Sequence, residues 1–109
     1  MSNKFIIVFV TAPSKKEGKH IVTALIRKRL IACGNILNKI DSTFIWNAKV
    51  DKAKEVLIIL KTKRALFKKI AREIERLHSY EVPEIIAMPI IEGSARYLKW
   101  IDESVCKNF

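Results

Sequence analysis

The chain has 109 residues, half of them hydrophobic, with 21 Lys and Arg against 11 Asp and Glu, a net charge of +10. That length fits one domain, residues 1–109, able to bury about 65% of its unfolded surface without a disulfide or metal staple. The hydrophobic half excludes a disordered tail, and the longest wholly apolar run, Phe5 to Val10, falls far short of the ~20 residues of a membrane span.

The first strand is expected over Lys4 to Thr11 and ends at Pro13. Ser14 stands three residues before Glu17, a capping-box spacing, and opens a helix to about Leu30 with Ile21, Val22, Leu25, Ile26 and Leu30 on one stripe. A long second strand starts near Ala32, with Ile36, Ile40, Phe44 and Trp46 on its even-numbered face. Asn47 and Ala48 mark a turn into a third strand, Lys49 to Thr62. Thr62 is read as the cap of a second helix carrying Leu66, Ile70, Ile74 and Leu77. The loop His78 to Pro83 breaks that helix. A fourth strand covers Glu84 to Ile91, with Pro89 indicating an edge or a bulge. Gly93 and Ser94 open a short last helix with Tyr97, Leu98 and Ile101. The order predicts an α+β, ferredoxin-like split βαβ-βαβ fold. It has a four-stranded antiparallel sheet, a long hairpin between strands 2 and 3, and a C-terminal helix.

An antiparallel sheet with one wet face alternates apolar and polar residues, but strands 1, 3 and 4 do not. Phe5, Ile7 and Phe9 point one way, Ile6, Val8 and Val10 the other. Two helices cover one face only, so the other predicts a closed homo-oligomer. The second strand would also overhang its own helices or bend at a bulge, leaving Phe44, Trp46 and Val50 to a neighbour.

Few residues suggest chemistry. The third strand reads EVLIILK, without the aromatics of an RNA-recognition sheet, which argues against nucleic acid there. The basic helices leave nonspecific anion binding as a rival, beside the plainer reading of solvated faces. No nucleophile elbow or Gly-rich phosphate loop occurs, so no enzyme activity is expected. The segment His78-Ser79-Tyr80-Glu81-Val82-Pro83-Glu84 collects an imidazole, a phenol and two carboxylates, and Cys33 offers a thiolate suited to copper or zinc. Plainer roles exist for each. His78 fits a helix C-cap, Cys33 a small core residue, Tyr80 packing beside Pro83, Lys61 a solvated strand end, and Trp46 and Trp100 packing. With no secretory cleavage pattern and no disulfide framework from Cys33 and Cys106, a cytoplasmic protein is expected.

The stretches TAP (11–13), RLIACGN (29–35), FIWNAKV (44–50), KEVLIILKT (54–62), HSYEVPEI (78–85), Pro89, Gly93 and YLKWI (97–101) occur in order over nearly the whole chain. Together they make the chain resemble the CutA divalent-cation tolerance family. The resemblance implies a ferredoxin-like homotrimer linked to metal tolerance, copper especially. It implies clefts between subunits at Trp46, Lys61 and Tyr80, and His78, Glu81, Glu84 and Cys33 as candidate ligands of Cu²⁺ or another divalent cation. No cofactor is obligatory and no membrane partner is implied. The alternative is a trimer resembling PII-type sensors, taking a small anionic ligand in the clefts. Ser79 and Ala48 depart from the family's proline and hairpin glycine. Ser79 is expected to relax the loop that orients His78, and Ala48 to disfavour a turn of positive φ. Val10 and Leu77 stand where some bacterial members carry a cysteine and a histidine, and supply no ligand.

Overall fold

The computed structural model describes residues 4–107, so residues 1–3 and 108–109 of the expected domain lie outside the described residues. The elements are β1 (Phe5–Ala12), α1 (Lys15–Arg27), β2 (Cys33–Trp46), β3 (Lys49–Lys63), a 3₁₀ turn (Arg64–Leu66), α2 (Phe67–Leu77), β4 (Ile85–Pro89) and α3 (Ala95–Ser104). The four strands form one antiparallel sheet in the order β2-β3-β1-β4. Each βαβ unit therefore skips the strand between its two ends, which is the split βαβ arrangement.

Even-numbered residues of β1 and β3 face the helices. Val8, Val10, Ile58 and Leu60 there pack with Ile21 and Leu25 of α1 and Ile70 and Ile74 of α2, all fully buried. Gly34 lets α1 come close, because a Cβ built on it would stand 2.6 Å from a methyl of Val22. The Ser14 hydroxyl caps α1 by accepting from the Glu17 N–H at 3.1 Å. The helix stops three residues before the expected Leu30. Arg29 turns left-handed (φ 55°), and the N–H groups of Arg29 and Leu30 reach back to the carbonyls of Ile26 and Leu25. This reverse-wound ending closes the last turn.

Thr62 is not a helix cap. It is a fully buried β3 residue whose hydroxyl donates to the Leu30 carbonyl at 2.6 Å. The 3₁₀ turn then leads into α2, whose N-terminus has no side-chain cap. β4 is an edge strand that ends on Pro89, where a missing N–H costs nothing. α3 begins at Ser94, whose hydroxyl accepts from the Tyr97 N–H. It is anchored by Lys63 and Lys4, which both pair with Asp102.

The hairpin departs from its expected face. Between Leu37 and Ile40 the register shifts, so Asn38 and Lys39 together oppose Val56, and Lys39 takes φ 60°. One extra residue reverses which side each later side chain occupies. Ile36, opposite Ile58, faces the helices. Ile40, Phe44 and Trp46 pair with Glu55, Asp51 and Lys49 and so join the open face, on the side of Phe5, Ile7 and Phe9. The even-numbered residues of β2 therefore do not share one face.

Beyond the bulge no helix covers the ribbon, and the molecule reaches 43 Å along its longest axis. At its tip Asn47 (φ 51°) and Ala48 (φ 62°) form a two-residue turn with both central residues left-handed. Alanine thus adopts the positive φ it disfavours. Ala48→Gly is expected to stabilise the protein by about 0.5–1 kcal/mol, because glycine removes a Cβ clash worth more than its extra unfolded-chain entropy. Urea unfolding at equal chain concentration reads this out.

Candidate functional site

The loop after α2 is built around His78. The chain leaves the helix there, with the His78 N–H bonded to the Ile74 carbonyl at 2.8 Å. Its ring side chain is wholly buried. Nδ1 accepts from the Tyr80 N–H at 3.0 Å, so Nε2 carries the proton and donates to the Thr11 carbonyl at 2.7 Å. The expected C-cap position is therefore observed, but both ring nitrogens are engaged within the chain. This candidate metal ligand is, in this structure, the peg that fastens the loop to the end of β1.

Glu17 holds the next residue. Its carboxylate accepts from both the backbone N–H and the hydroxyl of Ser79, each at 3.0 Å, and lies 3.3 Å from His78 Nδ1. Where the family has a proline ring, two hydrogen bonds hold Ser79. Tyr80 follows, its ring centroid 4.8 Å from that of His78. Its hydroxyl donates to the Glu55 carboxylate at 2.9 Å. Burial first, then the Glu55 hydrogen bond and the nearby carboxylates, push the Tyr80 phenol up to about 12. A folded-state value above the ordinary 10 favours the neutral phenol, so its contribution is complete below pH 10 and is lost as pH rises through about 12. Tyr80→Phe is expected to be less stable at neutral pH and to lose stability less steeply between pH 10 and pH 12, as followed by circular dichroism.

Glu81 and Glu84 of the same loop are exposed. Cys33 is elsewhere. It pairs with Lys61, in a row that continues through Ile7 to Met88. Glu55 lies six positions away along β3, about 20 Å. Cys33 cannot help the loop carboxylates within one chain. Instead Asn35 accepts from both the Cys33 thiol, at 3.6 Å, and the Lys61 ammonium. Tyr97 stands near this group, its phenol raised by burial and then by the Cys33 sulfur.

Trp46 is 48% exposed at the hairpin tip. It sits opposite Lys49, twelve positions along β3 from Lys61, about 40 Å. One chain therefore does not bring Trp46, Lys61 and Tyr80 together. Nor, among the described residues, does any group of three or more His, Cys, Asp and Glu side chains lie close enough to hold a metal ion. Trp46 and Trp100, read as packing residues, have little to pack on in one chain, Trp100 touching Tyr97 at 5.4 Å between centroids. Sequence reasoning missed two supports of the loop. Glu17 was assigned wholly to its own helix start, and Glu55 is a lone acid leading an apolar strand. Its signal is the pairing of an otherwise uncompensated carboxylate with the loop tyrosine.

Fold and site define a small α+β ferredoxin-like protein with a braced loop, an overhanging hairpin and a second sheet face left apolar and half-covered, open at Ile86 and Met88 of β4. Comparison with known proteins agrees. The family described as CutA1 divalent ion tolerance protein matches residues 6–104. The chain is 39% identical over 98 residues to the divalent-cation tolerance protein CutA of Thermus thermophilus, covering 90% of this chain and 95% of that one. It is 38% identical over 99 residues to the chloroplastic CutA protein of Arabidopsis thaliana, covering 91% of this chain but 54% of the plant protein. The crystal structure of CutA1 from Oryza sativa superposes with a TM-score of 0.93 at 37% identity, covering 98% of this chain and 100% of that one. The chain belongs to the CutA1 divalent ion tolerance family. It spans about half the length of the plant relatives and nearly all of the Thermus protein. Among the described residues, no helix is long and apolar enough to cross a membrane.

Proposed function

We propose that this protein is a non-enzymatic, cytoplasmic homotrimer that binds divalent cations, copper among them, in clefts between its subunits. The bare apolar face carries the reading. Ile86 and Met88 are 54% and 57% exposed there, and the bulge turns Phe44 and Trp46 onto the same side. A neighbour seated on that face, receiving the hairpin tip, would bring one subunit's Trp46 to another's Lys61 and Tyr80. A cation then draws ligands from two copies. Glu81 and Glu84 are the exposed loop donors, Cys33 a donor from the far end of a neighbouring sheet, and His78 joins only by giving up a ring hydrogen bond. Lys61 also keeps the small-anion alternative open, since its ammonium would stand at the edge of the same cleft.

The test is calorimetric titration of the assembled protein with Cu²⁺ and Zn²⁺. Binding that Glu81→Gln with Glu84→Gln weakens about tenfold or more supports the reading. Undiminished binding removes the loop from it. A melting shift with organic acids but none with metal supports the anion alternative.

A further inference from the structure

The helix face, opposite the bare side of the sheet, carries a depression of about 510 Å³ between the end of α1 and the middle of α2. Its walls are Lys28 on one side and Lys69, Arg72, Glu73 and Arg76 on the other, over a floor that includes Leu30. The α2 residues fall at successive i, i+3, i+4 and i+7 positions and so form one stripe about 10 Å long. Four cations and one carboxylate leave a local charge of +3.

The carboxylate organises the cations more than it neutralises them. Glu73 accepts from Lys28 Nζ at 2.6 Å and from Arg76 Nε at 3.0 Å, with a second Arg76 nitrogen on the same oxygen. The Lys28 hydrogen bond, then that of Arg76, holds its carboxyl below the usual range. Glu73 is 10% exposed, whereas Lys28 and Arg76 are 53% and 63% exposed. Two cationic groups are thus fixed across the depression with donors still facing water. Arg72 lies one turn before Arg76 in the stripe, exposed, and makes no hydrogen bond or ion pair among the described residues. The negative pole of α1 points here, but the Ala24, Leu25 and Ile26 carbonyls are already taken by the N–H groups of Lys28, Leu30 and Arg29.

We propose that this depression is a binding site for a small molecule carrying several linked phosphates. Guanidinium and ammonium donors on two walls match phosphate oxygens, and fixing them beforehand lowers the entropy lost on binding. The apolar floor and the aliphatic stems of the cations can take an organic moiety attached to the phosphates. A stripe of ~10 Å suits two or three phosphates and is short for single-stranded nucleic acid, whose sites span about 4 nucleotides or more. The site is on the side of the helices away from the bare sheet face, so subunit assembly through that face leaves it open.

The experiment titrates tripolyphosphate and magnesium-free ATP into the full-length assembled protein at low salt, followed by calorimetry. The expected result is one site per chain, weakened about tenfold or more by Arg72→Glu, since a charge-assisted contact is replaced by repulsion. Lys15→Glu makes the same change in net charge at the far end of α1 and is expected to alter affinity less than about twofold. Arg72 is exposed, so an unchanged melting temperature shows that the variant folds. Three results would overturn the site: no heat with either probe, an equal loss in Lys15→Glu, or tighter binding of a single-stranded oligonucleotide than of tripolyphosphate.

Discussion

Ile86→Glu combined with Met88→Glu is expected to yield a monomer at micromolar concentration, where the unaltered chain is expected to sediment as the proposed trimer. Both residues project from β4 onto the bare face. There Ile86 is level with Phe9 and Met88 with Ile7. Burying one such side chain against a neighbour contributes about 1.5–3 kcal/mol. Placing a carboxylate there instead costs several kcal/mol more, because it leaves water for an apolar seam, and Lys61, two strands from Met88 in the same row, offsets only part of that cost. In the proposed trimer, two substitutions on every subunit would act at every seam, so the effect would multiply. The helix-side core does not include either position, and the monomer keeps its far-ultraviolet spectrum. Equal sedimentation of variant and parent would show that this face is not the seam. A monomeric parent would remove the trimer altogether.

His78→Ala has the second largest expected effect, a loss of about 3 kcal/mol, seen as a fall of roughly 10–20 °C in melting temperature. Three costs combine: a buried ring is replaced by a small cavity, the Tyr80 N–H loses its acceptor, and the Thr11 carbonyl loses its donor. Comparisons are made at one chain concentration, since the proposed assembly would contribute to apparent stability. If His78 were chiefly a surface metal ligand, the metal-free protein would melt within about 0.5 kcal/mol of its parent. The metal-free melting curve therefore separates a peg from a ligand.

Most of the framework was legible because it rests on periodicity. Unbroken apolar runs marked β1 and the core of β3, the 3.6-residue stripe marked α1 and α2, and Ser14 and Ser94 marked two helix starts. The bare face was legible too, from the failure of β1 and β4 to alternate. Less legible was anything set by one residue against its partner strand. The bulge at Asn38 and Lys39 has no pattern of its own, since two polar residues fit an exposed strand equally well. Without it Ile40, Phe44 and Trp46 fall on the wrong side. Thr62 shows a cap's chemistry in the sequence, and only the nearness of Leu30 gives its hydroxyl another acceptor.

The site was legible in composition but not in placement. His78, Tyr80, Glu81 and Glu84 do share one loop, because that loop is continuous in sequence. Its braces, Glu17 and Glu55, come from elements 62 and 25 residues distant, which spacing along the chain cannot reveal. Cys33 was grouped with the loop by chemistry, and the strand register sets it at the other end of the sheet.

The doubled position at Asn38 and Lys39 also limits how the hairpin can change over generations. Each further residue gained or lost by one arm of the ribbon would swap its inner and outer walls again. The aromatic pair Phe44 and Trp46 would turn outward, and Ile45 would replace them. Length variation in this arm should therefore survive only in even steps, or with a second compensating irregularity. The arm can grow or shrink, but its parity is inherited.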